Sequence, residues 1–194
     1  MAWGGDLAPE TLLDAYRHGI FPWPSGNELF WWSPDPRALF PLDGVAVSRS
    51  LRRTLASGRF SHTADRACPD VIAACAQRPG EGTWITPEMI AAYTELHRRG
   101  HVHSIEVWED GALVGGLYGV TVGGAFIGES MFHRVSDASK VALVRLAAHL
   151  QERGFVICDA QLPTEHLRRM GAVAVPRTTY LDLLADVRQL PVRF

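Results

Sequence analysis

The stretch that decides the fold runs from residue 104 to residue 143 and reads SIEVWEDGALVGGLYGVTVGGAFIGESMFHRVSDASKVAL. Three apolar segments, punctuated by glycine, are separated by turn signals at residues 109–111 and 122–124, which predicts an antiparallel strand meander. Apolar residues then dominate from about Ala138 to Arg153, which predicts a helix that is buried over most of its circumference. Such a helix packs on the sheet.

One acidic residue interrupts the third of these apolar strands. Glu129 stands at the predicted end of that strand, before Ser130 and Met131. A lone carboxylate in such a place is either paired and buried or functional. We therefore expect the active site to be built here.

Composition narrows the class of protein. The chain has 194 residues, enough for one sizeable core and a small annex, and its 47% hydrophobic and 21% charged residues indicate a folded domain. The net charge of −2 provides no global basic field, so any contact with nucleic acid must be local. No apolar run approaches membrane-spanning length and no signal peptide is apparent, so we expect a cytoplasmic protein.

Cysteine and histidine spacing gives little support for a metal. The three cysteines lack CxxC spacing and are odd in number, so we expect buried thiols in a reducing compartment. His97, His101 and His103 lie close in sequence, but His97 falls in a last helical turn, where it complements the helix dipole. We predict no metal and no cofactor.

The first 37 residues read as a small, aromatic-rich N-terminal subdomain, followed by a catalytic domain over residues 38–194. A short helix from Pro9 to about His18 precedes two proline-rich segments that contain Trp23, Trp31 and Trp32. The prolines hold these segments extended and exclude them as interior strands. The tryptophans either join the annex to the main domain, which composition favours, or form the wall of a ligand pocket.

Two further segments carry candidate contacts. Residues 44–47 read as a strand, and Ser48 can cap a helix whose arginines form a short basic cluster, either a nucleic-acid contact or a solvated face. Thr86 is a good N-cap for the next long helix, which places Trp84 just before the N-terminus of that helix. There Trp84 either faces a ligand or packs onto the helix as a hydrophobic staple. The basic cluster consists of Arg49, Arg52 and Arg53.

The segment 155–161 reads as a strand that ends in polar residues. Asp159 and Gln161 are two positions apart, so a strand places both side chains on one face, about 6.6 Å apart. The helix before this strand forms a right-handed crossover, so the strand should lie parallel to the end of the meander. The predicted fold class is α+β, a mixed sheet with helices on its faces and a cleft where the parallel strands diverge, which resembles the N-acetyltransferase-like (GNAT) fold.

Eight motifs, in order and at consistent spacing, sharpen this prediction. They are FPW at 21–23, WWSPDPR at 31–37, EGTWIT at 81–86, HSIEVW at 103–108, LVGGLYGV at 113–120, GESMF at 128–132, SDASK at 136–140 and DAQ at 159–161. Together they resemble the leucyl/phenylalanyl-tRNA–protein transferase family over nearly the whole chain. The resemblance implies transfer of Leu or Phe, with Met as a further candidate, from aminoacyl-tRNA to proteins with N-terminal Arg or Lys, which marks them for N-degron degradation without metal or ATP.

The resemblance also implies roles for residues. Asp159 and Gln161 match the family's catalytic pair, with Asp159 orienting Gln161 and the Gln161 carbonyl holding the attacking amine. Glu129 is expected to pair with the cationic acceptor or to orient the ribose. Trp23 and Trp84 match residues that hold the 3′-terminal adenosine. The side-chain pocket for Leu or Phe is implied at Tyr93, Leu117, Phe126 and Met131, although Leu117 and Phe126 are equally well explained as plain core.

The sequence differs from the family pattern in two respects, and two other functions compete with the one that the resemblance implies. The N-terminus is shorter than we expect for the family and the basic cluster is thin, so we expect binding to depend mainly on the aminoacyl end. A coenzyme A-dependent acetyltransferase is disfavoured, because residues 133–140 lack glycine and Asp137 would repel a pyrophosphate. A non-catalytic adaptor for basic N-termini would use the same residues.

Overall fold

The computed structural model describes residues 2–26, 28–77 and 83–194. Its strands are β1 (Ala2–Trp3), β2 (Phe21–Ser25), β3 (Glu28–Trp32), β4 (Arg37–Phe40), β5 (Ser61–Ala64), β6 (Val102–Glu109), β7 (Ala112–Val122), β8 (Ala125–His133), β9 (Ile157–Gln161) and β10 (Val173–Val175). Its helices are α1 (Pro9–Arg17), α2 (Arg49–Ala56), α3 (Cys68–Ala76), α4 (Pro87–Arg98), α5 (Ala138–Glu152), α6 (Glu165–Arg169) and α7 (Arg177–Val187).

Within the described ranges the strands form two sheets. The small sheet has the order β1-β3-β2, and the large sheet has the order β10-β4-β9-β8-β7-β6-β5. The predicted meander is confirmed: β6, β7 and β8 pair antiparallel, with positive backbone φ at Asp110, Gly111 and Gly123 in the two turns. The meander therefore forms the centre of the large sheet.

The crossover through α5 makes β9 parallel to β8, as predicted. The register joins Ala125 to Ile157, Phe126 to Cys158 and Ile127 to Asp159. Beyond that pair both strands continue, to His133 and to Gln161, without further partners between them. This is the cleft that the sequence predicted between the two parallel strands.

Helices cover both faces of the large sheet, which confirms the predicted mixed sheet with helices on its faces. Two apolar clusters result. The first contains side chains of α1, α3 and α4, and the second contains side chains of α2 and α5. Among the described helices, none is both long and apolar enough to cross a bilayer.

Several local predictions were wrong. Residues 44–47 form no strand, and the strand at this point of the chain is β4, which pairs with β9 and β10. The prediction also missed β5 at the edge of the large sheet. Proline does keep β2 at an edge, but β3 is the central strand of the small sheet, because its Trp31 and Trp32 precede the prolines of that segment. The division at residue 37 stays a prediction.

Candidate active site

A cavity of about 480 Å³ opens where β8 and β9 part. Eight of the residues singled out in the sequence line it: Trp23, Trp84, Leu117, Phe126, Glu129, Met131, Asp159 and Gln161. Further apolar walls come from Phe40 on β4, Leu143 and Leu146 on α5, and Cys158 on β9. The cavity thus joins an apolar chamber to a cluster of three polar side chains.

A β-bulge places Glu129 in this cavity. Tyr118 pairs with Ser130 and Gly119 pairs with Gly128, so Glu129 is the extra residue between them. The sequence suggested that the strand ends at Glu129. Instead, the strand continues to His133 and changes direction at the bulge. Gly119 is required at this bulge, because a Cβ atom would lie 2.4 Å from the carbonyl oxygen of Ile127.

Glu129 is 8% exposed and is held by neutral hydrogen-bond donors. The Tyr93 hydroxyl donates to Oε2 (3.1 Å) and is itself hydrogen-bonded to the Tyr16 hydroxyl. Burial raises the pKa of Glu129 to about 7, and the charge of Asp159 adds to the rise, while the tyrosine hydrogen bonds and Arg37 oppose it. A carboxylate with such a pKa can both accept and release a proton near neutral pH.

Tyr93 occupies a different place from the one the resemblance implied. Its side chain is fully buried and does not line the cavity; it stands behind Glu129 and contacts the ring of Tyr118 edge-on, with 5.8 Å between the ring centroids. Burial raises the pKa of Tyr93 well above its usual value, so the phenol keeps its proton. We therefore correct its role from a pocket wall to a donor that orients Glu129.

The negative charge of Asp159 is paired with an arginine to which the sequence analysis assigned no role. Arg37 Nε and Nη2 donate to the two carboxylate oxygens of Asp159 at 2.9 and 2.6 Å, and both side chains are almost completely buried. Arg37 also donates to the Gly19 carbonyl (3.1 Å) and lies against the rings of Phe21 and Tyr180. In the sequence, the sign that Arg37 is buried and paired was its position at the start of an apolar strand segment.

Gln161 departs from the extended conformation that the two-residue spacing assumed. Its φ is +62°, a region that non-glycine residues seldom occupy, and its backbone N–H donates to Asp159 Oδ1 (2.7 Å). The side-chain Nε2 donates to Glu129 Oε1 (2.8 Å). This bond assigns the amide orientation and leaves Oε1 of Gln161 to accept a hydrogen bond from a ligand.

Trp23 and Trp84 meet at the mouth of the cavity. Their rings are stacked, with 5.0 Å between centroids and an interplanar angle of 15°. A base between two rings needs about 7 Å, twice a stacking distance of roughly 3.4 Å. A nucleobase would therefore stack on an outer face of the pair or separate the two rings. Glu81 and Gly82 of the same motif lie outside the described residues.

The remaining predicted contacts lie apart from the cavity. Arg49, Arg52 and Arg53 are exposed on α2, whose Leu51 packs into the core. Their role in tRNA binding stays a prediction.

The three cysteines are buried and none is in a disulfide, as expected. Ligand atoms of Asp65, Cys68 and His97 lie within 4.8 Å of one another, but none of these residues lines the cavity. Burial raises the pKa of the Cys68 thiol to about 12, which opposes formation of the thiolate that a metal requires. The absence of a metal stays a prediction.

Comparison with known proteins identifies the family. The sequence matches "Leucyl/phenylalanyl-tRNA protein transferase" over residues 39–185 and the N-terminal domain of that family over residues 5–35. The chain belongs to the leucyl/phenylalanyl-tRNA–protein transferase family. Relatives with that name occur in Nitratidesulfovibrio vulgaris (54% identity over 100% of this chain and 84% of the relative) and in Aromatoleum aromaticum (55% over 96% and 80%).

As a member of the leucyl/phenylalanyl-tRNA–protein transferase family, the chain is an aminoacyltransferase, and the sequence-based identification of the family is confirmed. Among solved structures, it is similar to a ribosomal-protein-alanine N-acetyltransferase from Brucella melitensis biovar Abortus (18% identity, 55% of this chain and 81% of that chain, TM-score 0.42), a likeness in fold alone.

Proposed function

We propose that the protein transfers Leu or Phe, with Met as a further candidate, from aminoacyl-tRNA to the α-amine of proteins that begin with Arg or Lys. The observation that carries this proposal is the cluster of Glu129, Asp159 and Gln161 at one end of an apolar cavity. The apolar part suits the donor side chain, and the polar end suits an amine that must lose a proton as it attacks an ester.

In the proposed reaction the amine nitrogen forms a bond to the ester carbonyl carbon, and the bond from that carbon to the ribose oxygen breaks. Oε1 of Gln161 accepts a hydrogen bond from the amine and aims it, since Nε2 is held by Glu129. The amine must also lose a proton, and an amide is too weak a base to take it.

Glu129 is the proton acceptor in this proposal. It lines the cavity, it is hydrogen-bonded to Gln161, and its pKa of about 7 lets it take the proton from the amine and return it to the departing ribose oxygen. This differs from the sequence-based expectation that Glu129 pairs with the cationic acceptor or orients the ribose. Asp159 acts through Gln161, because its oxygens are engaged by Arg37 and by the Gln161 N–H.

The substrate side chain is proposed to lie among Leu117, Phe126 and Met131. The three residues line the cavity together with Leu143 and Leu146 of α5. An apolar pocket rejects polar amino acids well but separates similar apolar ones poorly, which fits a range of two or three amino acids.

The nucleotide part of the donor is proposed to bind at the mouth of the cavity. There Trp23 and Trp84 offer aromatic faces on which the terminal adenine can stack. Arg49, Arg52 and Arg53 are exposed and remain our candidates for contacts with the tRNA backbone.

Three wider statements belong to the same proposal. We infer that modified proteins enter N-degron degradation, that the protein acts in the cytoplasm, and that neither coenzyme A nor a metal takes part. Support against coenzyme A comes from Asp137, which immediately precedes α5 and accepts a hydrogen bond from Lys140 Nζ (2.7 Å). Its carboxylate stands at the helix N-terminus, where a pyrophosphate would bind.

The test is a transfer assay with radiolabelled Leu-tRNA and an acceptor protein whose first residue is Arg. We expect label on the acceptor, and little label when the acceptor begins with a residue other than Arg or Lys. Gln161→Ala and Asp159→Asn should lose most of the transfer while still binding aminoacyl-tRNA, and Gln151→Ala, an exposed glutamine on α5, is the matched control.

The adaptor alternative predicts a different result. If the wild-type protein binds Arg-initiated peptides but transfers no label, it is a binding module, and the proposed reaction is wrong. Transfer by Asp159→Asn at the parental rate would refute only the role given to the Asp159–Gln161 pair.

A further inference from the structure

A second cavity adjoins the first on the side of the small sheet. Its volume is about 590 Å³, and it shares the side chains of Trp23 and Leu162 with the cavity described above. Leu162 directly follows Gln161 in the chain. A ligand that extends past Trp23, out of the first cavity, therefore enters the second.

The second cavity offers an aromatic platform. Trp32 on β3 is 38% exposed and lines it, and Phe21 of the neighbouring β2 strand, directly opposite Trp32, lines it as well. An exposed indole face in a concave site is suited to stack a nucleobase, since every base has a flat π-face.

Polar groups of both signs stand beside this platform. Arg177, the first residue of α7, is exposed, and its Nη1 donates to the Ser33 carbonyl at 2.8 Å. Asp35 Oδ1 accepts from the Arg177 backbone N–H at 3.1 Å. The hydroxyl of Ser33 is buried and lacks a hydrogen-bond partner among the residues described. Together they provide a guanidinium for a phosphate, and a carboxylate and a hydroxyl for the edge of a base.

We propose that this cavity binds the penultimate nucleotide of the donor tRNA, the cytidine that precedes the terminal adenosine. The inference rests on the proposed function, which puts the adenosine at Trp23 and Trp84. The cytosine ring stacks on Trp32, its exocyclic amine donates to Asp35, and the phosphate that links it to the adenosine is bound by Arg177.

The charges favour a nucleotide over the cationic N-terminus of an acceptor protein. The described residues that line the cavity include one acid and one arginine, Asp35 and Arg177, so their charges balance. An Arg or Lys side chain next to its own α-amine would place two positive charges beside Arg177, which is unfavourable. A phosphate gains from the same guanidinium.

The experiment compares two short donors in the transfer assay, phenylalanyl-adenosine and phenylalanyl-cytidylyl-adenosine, with one Arg-initiated acceptor peptide. For the wild-type protein we expect a higher kcat/KM with the longer donor. Trp32→Ala should lower the ratio of the two values about tenfold, equivalent to about 1.4 kcal/mol and within the range for one stacked base. Arg177→Gln should lower the ratio as well, and should weaken its dependence on salt.

Trp3→Ala is the matched control, because Trp3 is an exposed tryptophan of the same small sheet that does not line the cavity. The control should leave the ratio unchanged. If both Trp32→Ala and Arg177→Gln also leave it unchanged, the subsite is refuted. If they raise KM for the acceptor peptide equally with both donors, the cavity binds the acceptor and the inference is wrong. Absence of transfer by the wild-type protein from both short donors and from Leu-tRNA would instead overturn the proposed function.

Discussion

Arg37 and Asp159 lie 122 positions apart in the chain and form a buried ion pair, with 2.6 Å between Arg37 Nη2 and Asp159 Oδ2. The pair joins β4, at the end of the N-terminal segment, to β9, which carries Gln161. Because Asp159 also accepts from the Gln161 N–H, the conformation of Gln161 depends on a residue contributed by the opposite end of the chain.

Arg37→Met should destabilise the fold strongly. The substitution leaves Asp159 buried without its cation, and breaking a buried pair in this way costs about 3–5 kcal/mol. We expect that loss in the free energy of unfolding, measured by urea denaturation. The double variant Arg37→Met/Asp159→Leu should recover much of the stability but remain inactive.

A surface pair gives the control for this experiment. Arg59 and Glu109 are paired at 2.5 Å with both side chains partly exposed, so Arg59→Met should cost less than about 1 kcal/mol. If Arg37→Met lowered the free energy of unfolding as little as Arg59→Met, the buried pair would not be what holds the two ends of the chain together.

The rate of transfer should depend on the ionisation of Glu129. If Glu129 accepts the proton, kcat for transfer rises with pH through about 7, and Glu129→Gln removes this step. The α-amine of the acceptor, which titrates near 8, contributes a separate step that should persist in the variant. A pH–rate profile that is identical in both proteins would show that Glu129 is not the base.

The free energy of unfolding should also depend on the ionisation of Glu129, but it should fall as pH rises, whereas the rate of transfer increases. The pKa of Glu129 is raised in the folded state from about 4.5 to about 7, so its protonated form favours folding. This contribution is complete below pH 4.5 and is lost as pH rises through 7, at most about 3 kcal/mol. The slope of unfolding free energy against pH between these values should flatten in Glu129→Gln and persist in Glu152→Gln, an exposed control on α5.

Substitution at Met131 should change the choice of amino acid. Met131 lines the apolar part of the cavity and is only partly buried, so Met131→Phe narrows the chamber with little harm to the core. We expect the ratio of kcat/KM for Phe over Leu to fall about five- to tenfold, or roughly 1 kcal/mol. Met131→Leu, which conserves volume, should leave the ratio close to its original value. A ratio unaffected by Met131→Phe would place the donor side chain elsewhere.

The sequence by itself determined the central architecture and the family. The apolar periodicity and the turn residues of 104–143 specify the meander and α5, because alternation and glycine turns act locally. The caps Ser48 and Thr86 determined helix starts for the same reason, and both side chains accept the expected backbone hydrogen bond. The motifs, at their spacing, identified the leucyl/phenylalanyl-tRNA–protein transferase family, as the comparisons confirm.

Only the tertiary structure decided the electrostatics of the site. The Arg37–Asp159 pair, the place of Tyr93 behind Glu129 and the bond from Gln161 to Glu129 join residues that are 122, 36 and 32 positions apart. No local pattern encodes such contacts, and a pKa near 7 for Glu129 follows from burial, which strand pairing and the bulge at Gly119 create together. Local propensity specifies which elements form, whereas the chemistry of a buried polar cluster depends on which distant elements enclose it.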